Sequence, residues 1–396
     1  MRFGIIFISF LVVFVAINNI YADEAAISLT DGIVITKDSS SKTTTKMTTE
    51  ENLQNKLKQT EALKEDPDDE EKEGGIFSFL NFSFFKKDKK ITEPEKTESN
   101  EDFQARVFRM AEKGDTNALM TLGYMHLYGL NGFDINYRKT FEYYSLAAES
   151  GNDIAINNLG SLYYSGIGVK KDVEHAAELF SKASNAGNID ATINLAVIFL
   201  SEQGVLHNPQ SASLLLKDAA EKSSPVAKYL LGYLYMKGIG VPQNMKKAVE
   251  NIRFAAEQNY DEAQYMLGYL YLNGWGVMQN YNNAIKYFTR AYNQGNVSAM
   301  YELGNMYGSE TKIEPDFYKS YVAFNMAAYH GVPDAERRRD VVGKEKLKKD
   351  EILQAQAESE NFKAEPSELT QYVRSTFGNS LALYIDKSAP VYKAAY

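Results

Sequence analysis

Ala227 to Val241 reads AKYLLGYLYMKGIGV, and Ala263 to Val277 reads AQYMLGYLYLNGWGV, 36 residues further on. Working outward, Ala118, Ala155, Ala191, Ala227, Ala263 and Ala299 each open such a phrase, at spacings of 37, 36, 36, 36 and 36, and Ala335 follows at another 36. Four residues after each full-phrase alanine stands Leu122, Leu159, Leu195, Leu231, Leu267 or Leu303. The next residue is Gly123, Gly160, Ala196, Gly232, Gly268 or Gly304. A second phrase lies between these. Ala176, Ala212, Ala248 and Ala284 are each followed seven residues later by Ala183, Ala219, Ala255 and Ala291, with Phe180, Leu216, Ile252 and Phe288 in between. Positions i, i+4 and i+7 share one helix face. The pairs Gly166/Gly168, Gly238/Gly240 and Gly274/Gly276 separate the phrases, so each unit reads helix, glycine turn, helix. One such pair cannot bury its apolar face alone, whereas stacked pairs share a continuous core. The Ala and Gly positions mark close helix approach. A leucine at Gly268 is therefore expected to damage the fold, and Gln264→Ala is expected to leave it intact.

The phrase A-x-x-x-L-G-x-L-Y-x-x-G-x-G-V, followed by A-x-x-x-F-x-x-A, resembles the Sel-1-like repeat, a relative of the tetratricopeptide repeat. Six copies run from Asp115 to Gly331, and Phe108, Ala111 and Gly114 look like the end of a preceding second helix. Two copies depart. One has Ala196 in place of glycine and the turn Glu202-Gln203-Gly204-Val205, and the other has the turn Glu310-Thr311-Lys312-Ile313. Helix pairing is expected to survive both changes. The resemblance implies an all-α, right-handed α-solenoid whose first helices line a concave face, and it is strongest to bacterial members.

The solenoid is expected over residues 101–333, followed by a helical C-terminal cap over 334–378 and a flexible tail over 379–396. In the cap, Ala335–Arg339 opens a helix too polar to continue the stack inward, and Lys344–Glu358 and Pro366–Phe377 read as two more. Residues 1–22 read as a signal peptide. Arg2 precedes the apolar run Phe3–Ile17, which is shorter than the about 20 residues of a spanning helix, and Ala22 offers a small-residue exit. The expected address is the periplasm or secretion; the alternative is membrane anchoring by an uncleaved N-terminal segment. Residues 23–100 form a polar, acidic linker, with Glu65–Glu73 nearly all acidic, and this composition is expected to be disordered. Within it, residues 75–85 concentrate Phe77, Phe79, Phe82, Phe84 and Phe85 ahead of the basic cluster Lys86–Lys90. This Phe-rich knot is expected to dock on the solenoid or on a partner. Peripheral membrane contact is the alternative.

The chemistry is sparse. The 396 residues contain no cysteine, which excludes disulfides, thiolate metal sites and Cys nucleophiles, and only four histidines. A net charge of −9 argues against a nucleic-acid surface. No G-x-S-x-G, Walker or H-E-x-x-H motif occurs, so no catalytic, cofactor or metal residue is assigned and the chain is expected not to be an enzyme. Some relatives of the family are described as β-lactamases with paired cysteines in each repeat. A hydrolase of that β-lactamase or cell-wall type is the alternative, disfavoured here by the absence of Cys.

The unusual component is aromatic: 27 Tyr and 21 Phe stand against one Trp. If Ala263, Leu267 and Leu270 face the core, Tyr265 and Tyr269 share another face of the same helix. Their counterparts give a candidate partner-binding stripe of Tyr124, Tyr164, Tyr229, Tyr233, Tyr265, Tyr269 and Tyr301. Tyr124, Tyr233 and Tyr269 are expected to be exposed; for Tyr229, Tyr265 and Tyr301 packing between units is the competing expectation. The expected function is an exported, non-enzymatic scaffold that binds a protein or peptide partner along the concave surface, in envelope assembly or host contact. An endoplasmic-reticulum lumenal adaptor is the eukaryotic alternative.

Overall fold

A computed structural model of the chain describes residues 98–201 and 204–377. The signal segment, the linker to residue 97 with its Phe-rich knot and Lys86–Lys90, and the tail from residue 378 lie outside the described residues. The described residues form sixteen α-helices and no strand. Helix α1 (Asn100–Glu112) precedes six pairs: α2 (Thr116–Tyr128) and α3 (Tyr137–Glu149), α4 (Asp153–Ser165) and α5 (Val173–Asn185), α6 (Ile189–Leu200) and α7 (Pro209–Glu221), α8 (Pro225–Lys237) and α9 (Met245–Glu257), α10 (Asp261–Asn273) and α11 (Tyr281–Asn293), α12 (Val297–Tyr307) and α13 (Phe317–Tyr329). Each helix packs on its pair mate and on the neighbouring unit, the linear pattern of an all-α solenoid.

The unit boundaries are set by a capping ladder. Asn136, Asp172, Asn208, Asn244, Asn280 and Asp316 cap the second helices, each side chain accepting the N–H three residues on. Asp115, Asn152, Asn188, Ser224 and Asn296 do the same for five first helices. Each such cap stabilises its helix by about 1 kcal/mol. The exception is Tyr260, before α10, which makes no side-chain cap. The departures in the third and sixth units sit at the opposite helix ends. Gly129, Gly166, Gly238 and Gly274 end their helices in the left-handed conformation, whereas α6 ends at an extended Ser201 and α12 at a right-handed Gly308. Pairing survives in both units.

The neutral expectation for Gln264 does not hold. Its side chain is fully buried, and its Nε2 donates to the Asn259 side chain at 2.7 Å and to the Ala256 carbonyl at 3.2 Å. Its Oε1 accepts from Gln294 Nε2 at 2.8 Å. Truncation would remove these three hydrogen bonds and leave a void at a fully buried position, a loss of about 1–3 kcal/mol.

Beyond the pairs, α14 (Ala335–Lys346) and α15 (Lys349–Glu360) both pack on α13. The helix expected from Lys344 begins at Lys349, because the extended Leu347 and Lys348 break the chain first. Arg337, Arg338 and Arg339 are neutralised locally, the first two by Asp334 and the third by Glu336 and Asp340. Asp334 is held down to a pKa of about 2 by the Arg337 and Arg338 hydrogen bonds. The last helix, α16 (Glu368–Thr376), leaves the end of the stack and returns to its middle.

Candidate functional site: the first-helix face and its resident helix

The first helices present two rows of side chains. Two residues after each repeat alanine stand Met120, Asn157, Ile193, Tyr229, Tyr265 and Tyr301; the first four are buried and the last two half-buried. The rings of this row pack on other helices. Tyr265 lies 5.8 Å from Phe288 of α11 and Tyr301 5.7 Å from Phe324 of α13, while Tyr229 meets Tyr260 edge-on at 5.2 Å. Packing between units therefore describes the Tyr229 ring, whereas the rings of Tyr265 and Tyr301 pack on the second helix of their own unit. Burial raises the Tyr229 phenol well above its ordinary pKa, and its hydroxyl has no hydrogen-bond partner among the described residues. Tyr229→Phe is accordingly expected to raise stability by about 1 kcal/mol, read as an upward shift in Tm, because it removes an unpaired buried hydroxyl and keeps the ring.

Six residues after the alanines stand Tyr124, Ser161, Val197, Tyr233, Tyr269 and Asn305. Tyr124 and Tyr269 are half-buried, Tyr124 against Tyr128 at 4.9 Å and Tyr269 edge-on to Trp275 at 5.6 Å. Tyr164, further along α4, is half-buried beneath the Lys171 ammonium. Exposure fails at Tyr233, which is 7% exposed and belongs to one apolar cluster with Ile193, Val197, Tyr229, Val373 and Phe377. Val373 and Phe377 belong to the C-terminal segment, so the chain supplies its own cover for the middle of this face.

The seating of α16 is specific. The Ser367 hydroxyl donates to the Asn259 carbonyl at 2.6 Å, and the Ser367 N–H donates to Gln294 Oε1 at 2.9 Å. Thr370 Oγ1 accepts the Asp261 N–H at 3.1 Å and donates to Gln294 Oε1 at 2.7 Å. That Asp261 N–H opens α10, the helix whose cap position is taken by Tyr260, so Thr370 accepts one of the free N–H groups at this start, one different from the Ala263 N–H that a side-chain cap would take. Arg374 pairs with the Asp261 carboxylate at 2.6 Å, and that carboxylate is 2% exposed. The Tyr372 hydroxyl donates to the Asp190 carboxylate at the start of α6. Burial, reinforced by Asp190, raises the Tyr372 phenol far above its ordinary pKa, so it remains a donor. Val373 and Phe377, 4% and 0% exposed, complete the apolar contact. Sequence reasoning missed this docking site. The one available signal was Tyr260, standing where the 36-residue ladder otherwise places Asn, Asp or Ser.

The histidines do not build a catalytic set. His126 is buried with Nδ1 on the Asp134 carbonyl, and burial lowers its pKa, whereas His175 lies at the surface beside Glu178. Among the described residues no group of three or more His, Asp and Glu is placed to hold a metal ion, and no helix is long and apolar enough to cross a membrane.

The Sel1 repeat model matches residues 116–152, 153–188, 225–260, 261–296 and 297–332, which hold five of the six helix pairs. The chain carries Sel1 repeats. The remaining pair, α6 and α7, lies between two of the matched stretches. Among solved structures, a Sel1 repeat protein from Oxalobacter formigenes is similar at 27% identity and a TM-score of 0.54, over 58% of this chain and 94% of that one. A protective antigen present in uropathogenic Escherichia coli strains, displaying an SLR fold, is similar at 25% identity and a TM-score of 0.42, over 73% of this chain and 68% of that one. Among curated proteins, an ERAD-associated E3 ubiquitin-protein ligase component, HRD3B from Arabidopsis thaliana, is 32% identical over 109 residues. That match spans 20% of this chain and only 18% of the relative's length. Sel1 repeat proteins are in general protein-interaction scaffolds.

Proposed function

We propose that this Sel1-repeat protein is a non-enzymatic, exported scaffold that binds a protein segment on the face formed by its first helices. One observation carries the reading. A nine-residue helix of the chain itself already rests on that face, held by side-chain hydrogen bonds, an ion pair and two buried apolar side chains. A surface that seats one short helix by matched polar and apolar contacts has the properties of a helix-in-groove receptor. Export is supported by Arg2, the apolar run Phe3–Ile17 and Ala22, with envelope or extracellular work as the expected setting.

The test is a peptide-display selection on the immobilised full chain, followed by titration of soluble hits. Expected are peptides that bind one per chain and lose at least about tenfold in affinity, about 1.4 kcal/mol, with Tyr269→Ala. The Tm of that variant should change little, because Tyr269 is half-buried on Trp275. Selections that yield no saturable binder, or binders indifferent to first-helix substitutions, would overturn the scaffold reading. Hydrolysis of a chromogenic β-lactam by the pure protein would replace it with the enzyme.

A further inference from the structure

We propose that the groove between the N-terminal turns of α6 and α10, over the apolar cluster that holds Tyr229 and Tyr233 of α8, is a receptor for a helical protein segment of defined chemistry, and that α16 is its resident, displaceable copy. The incoming segment would carry a hydroxyl residue, an aromatic hydroxyl two residues later, an arginine four residues later and an aromatic ring seven residues later, as Thr370, Tyr372, Arg374 and Phe377 do. This rests on the scaffold reading and names the partner's chemistry within it.

The groove dictates that pattern. Its two acidic groups, Asp190 and Asp261, are 8% and 2% exposed and belong to different units, so they read a donor pair at fixed spacing along one helix. Asp261 takes Arg374, and Asp190 takes the Tyr372 hydroxyl. The first N–H of α10, on Asp261, points into the groove, and a threonine or serine hydroxyl both accepts it and donates to Gln294. The apolar floor of Ile193, Val197, Tyr229 and Tyr233 takes a β-branched residue and a ring. A partner presenting acidic residues at these positions would meet two buried carboxylates and be rejected.

The resident copy is built to leave. A nine-residue helix is too short to persist alone in water, so off the groove it unfolds and regains chain entropy. It is tethered by the short stretch after α15, Asn361 to Pro366, which makes its local concentration about millimolar and lets it hold the groove without high intrinsic affinity. A tighter external segment then gains the same floor.

The experiment uses the full chain and a labelled synthetic peptide of residues 366–377, PSELTQYVRSTF. Hydrogen exchange on the full chain carrying Tyr372→Ala and Arg374→Ala should show protection lost over 367–377 and kept in α8 and α10. That variant should bind the peptide saturably, at least about tenfold tighter than the wild-type chain, whose groove is occupied in cis. The binding should disappear when the peptide carries Arg374→Glu, and equally when Asp261→Ala is added to the chain. Continued protection of 367–377 in the double variant would overturn the proposal, since the two acidic contacts would then not be what seats the helix. Failure of the released variant to bind the peptide would overturn it as well. If Tyr269-dependent binders persist from the display selection in either case, the scaffold reading stands and only this groove assignment falls.

Discussion

Gly240→Ala is expected to destabilise the chain by about 4 kcal/mol, whereas Gly238→Ala, two residues earlier in the same turn, should cost about 1 kcal/mol. Both glycines have positive φ, +75° at Gly238 and +63° at Gly240, so each alanine meets the same left-handed penalty of about 1–2 kcal/mol. The difference is what lies beside them. A Cβ on Gly238 would stand 3.4 Å from the nearest atom, the Cβ of Gln243, which is ordinary contact. A Cβ on Gly240 would stand 2.0 Å from the carbonyl oxygen of Pro209, the first residue of α7 in the preceding unit. That neighbour is backbone at a helix start and cannot rotate away, so the turn itself must move off the unit it stacks on. The second glycine of the turn is thus an inter-unit contact, and Gly168 repeats it at 2.0 Å from the Tyr137 carbonyl. Thermal or chemical denaturation of the two variants reads the contrast directly. Equal losses at 238 and 240 would mean that the turn conformation alone, and not the stacking contact, sets the requirement.

The repeat length, the helix pairs and the register were legible because the same side chains answer the same packing problem every 36 residues. Ala, Leu and Gly at fixed offsets define which face turns inward, and that geometry depends only on neighbours close in sequence. What could not be read is where a third layer falls. The spacing of Tyr233 gives a direction around α8, but direction does not say whether water or protein covers it, and the apolar cluster that takes it in includes Phe377, from 144 positions later in the chain. The C-terminal helix was visible as a helix between Pro366 and Phe377, yet nothing in nine amphipathic residues states where they dock. Gln264 was misjudged for a related reason. A glutamine beside the repeat alanine resembles a surface residue until Asn259 and Gln294, each from a different loop, close around it. The Tyr260 break in the capping ladder was the one local mark of the missing partner.

Gly268→Leu is expected to cost about 3 kcal/mol and Phe288→Ala about 3–5 kcal/mol, and the two positions should prove to be one coupled site. A Cβ on Gly268 would stand 2.7 Å from the ring of Phe288, which is fully buried between α10 and α11, and 3.2 Å from the Ala284 carbonyl. Any side chain at 268 therefore displaces the ring, and loss of the ring leaves a cavity against a glycine that cannot fill it. The same juxtaposition recurs between Gly160 and Phe180 at 2.9 Å, Gly232 and Ile252 at 2.8 Å, and Gly304 and Phe324 at 2.6 Å. The third unit solves it differently. There the glycine position holds Ala196 and the position 20 residues later holds Leu216, both fully buried. There a methyl on the first helix faces leucine, whereas the second, fifth and sixth units set glycine against a ring and the fourth sets it against Ile252. Transplanting that solution gives the decisive measurement. Gly268→Ala alone should lower stability by about 1–3 kcal/mol, Phe288→Leu alone should lose packing, and the double variant should recover part of the loss, a coupling of at least about 0.5 kcal/mol. Strict additivity of the two substitutions would show that helix spacing in the fifth unit is set elsewhere, and that Ala196 and Leu216 are independent choices.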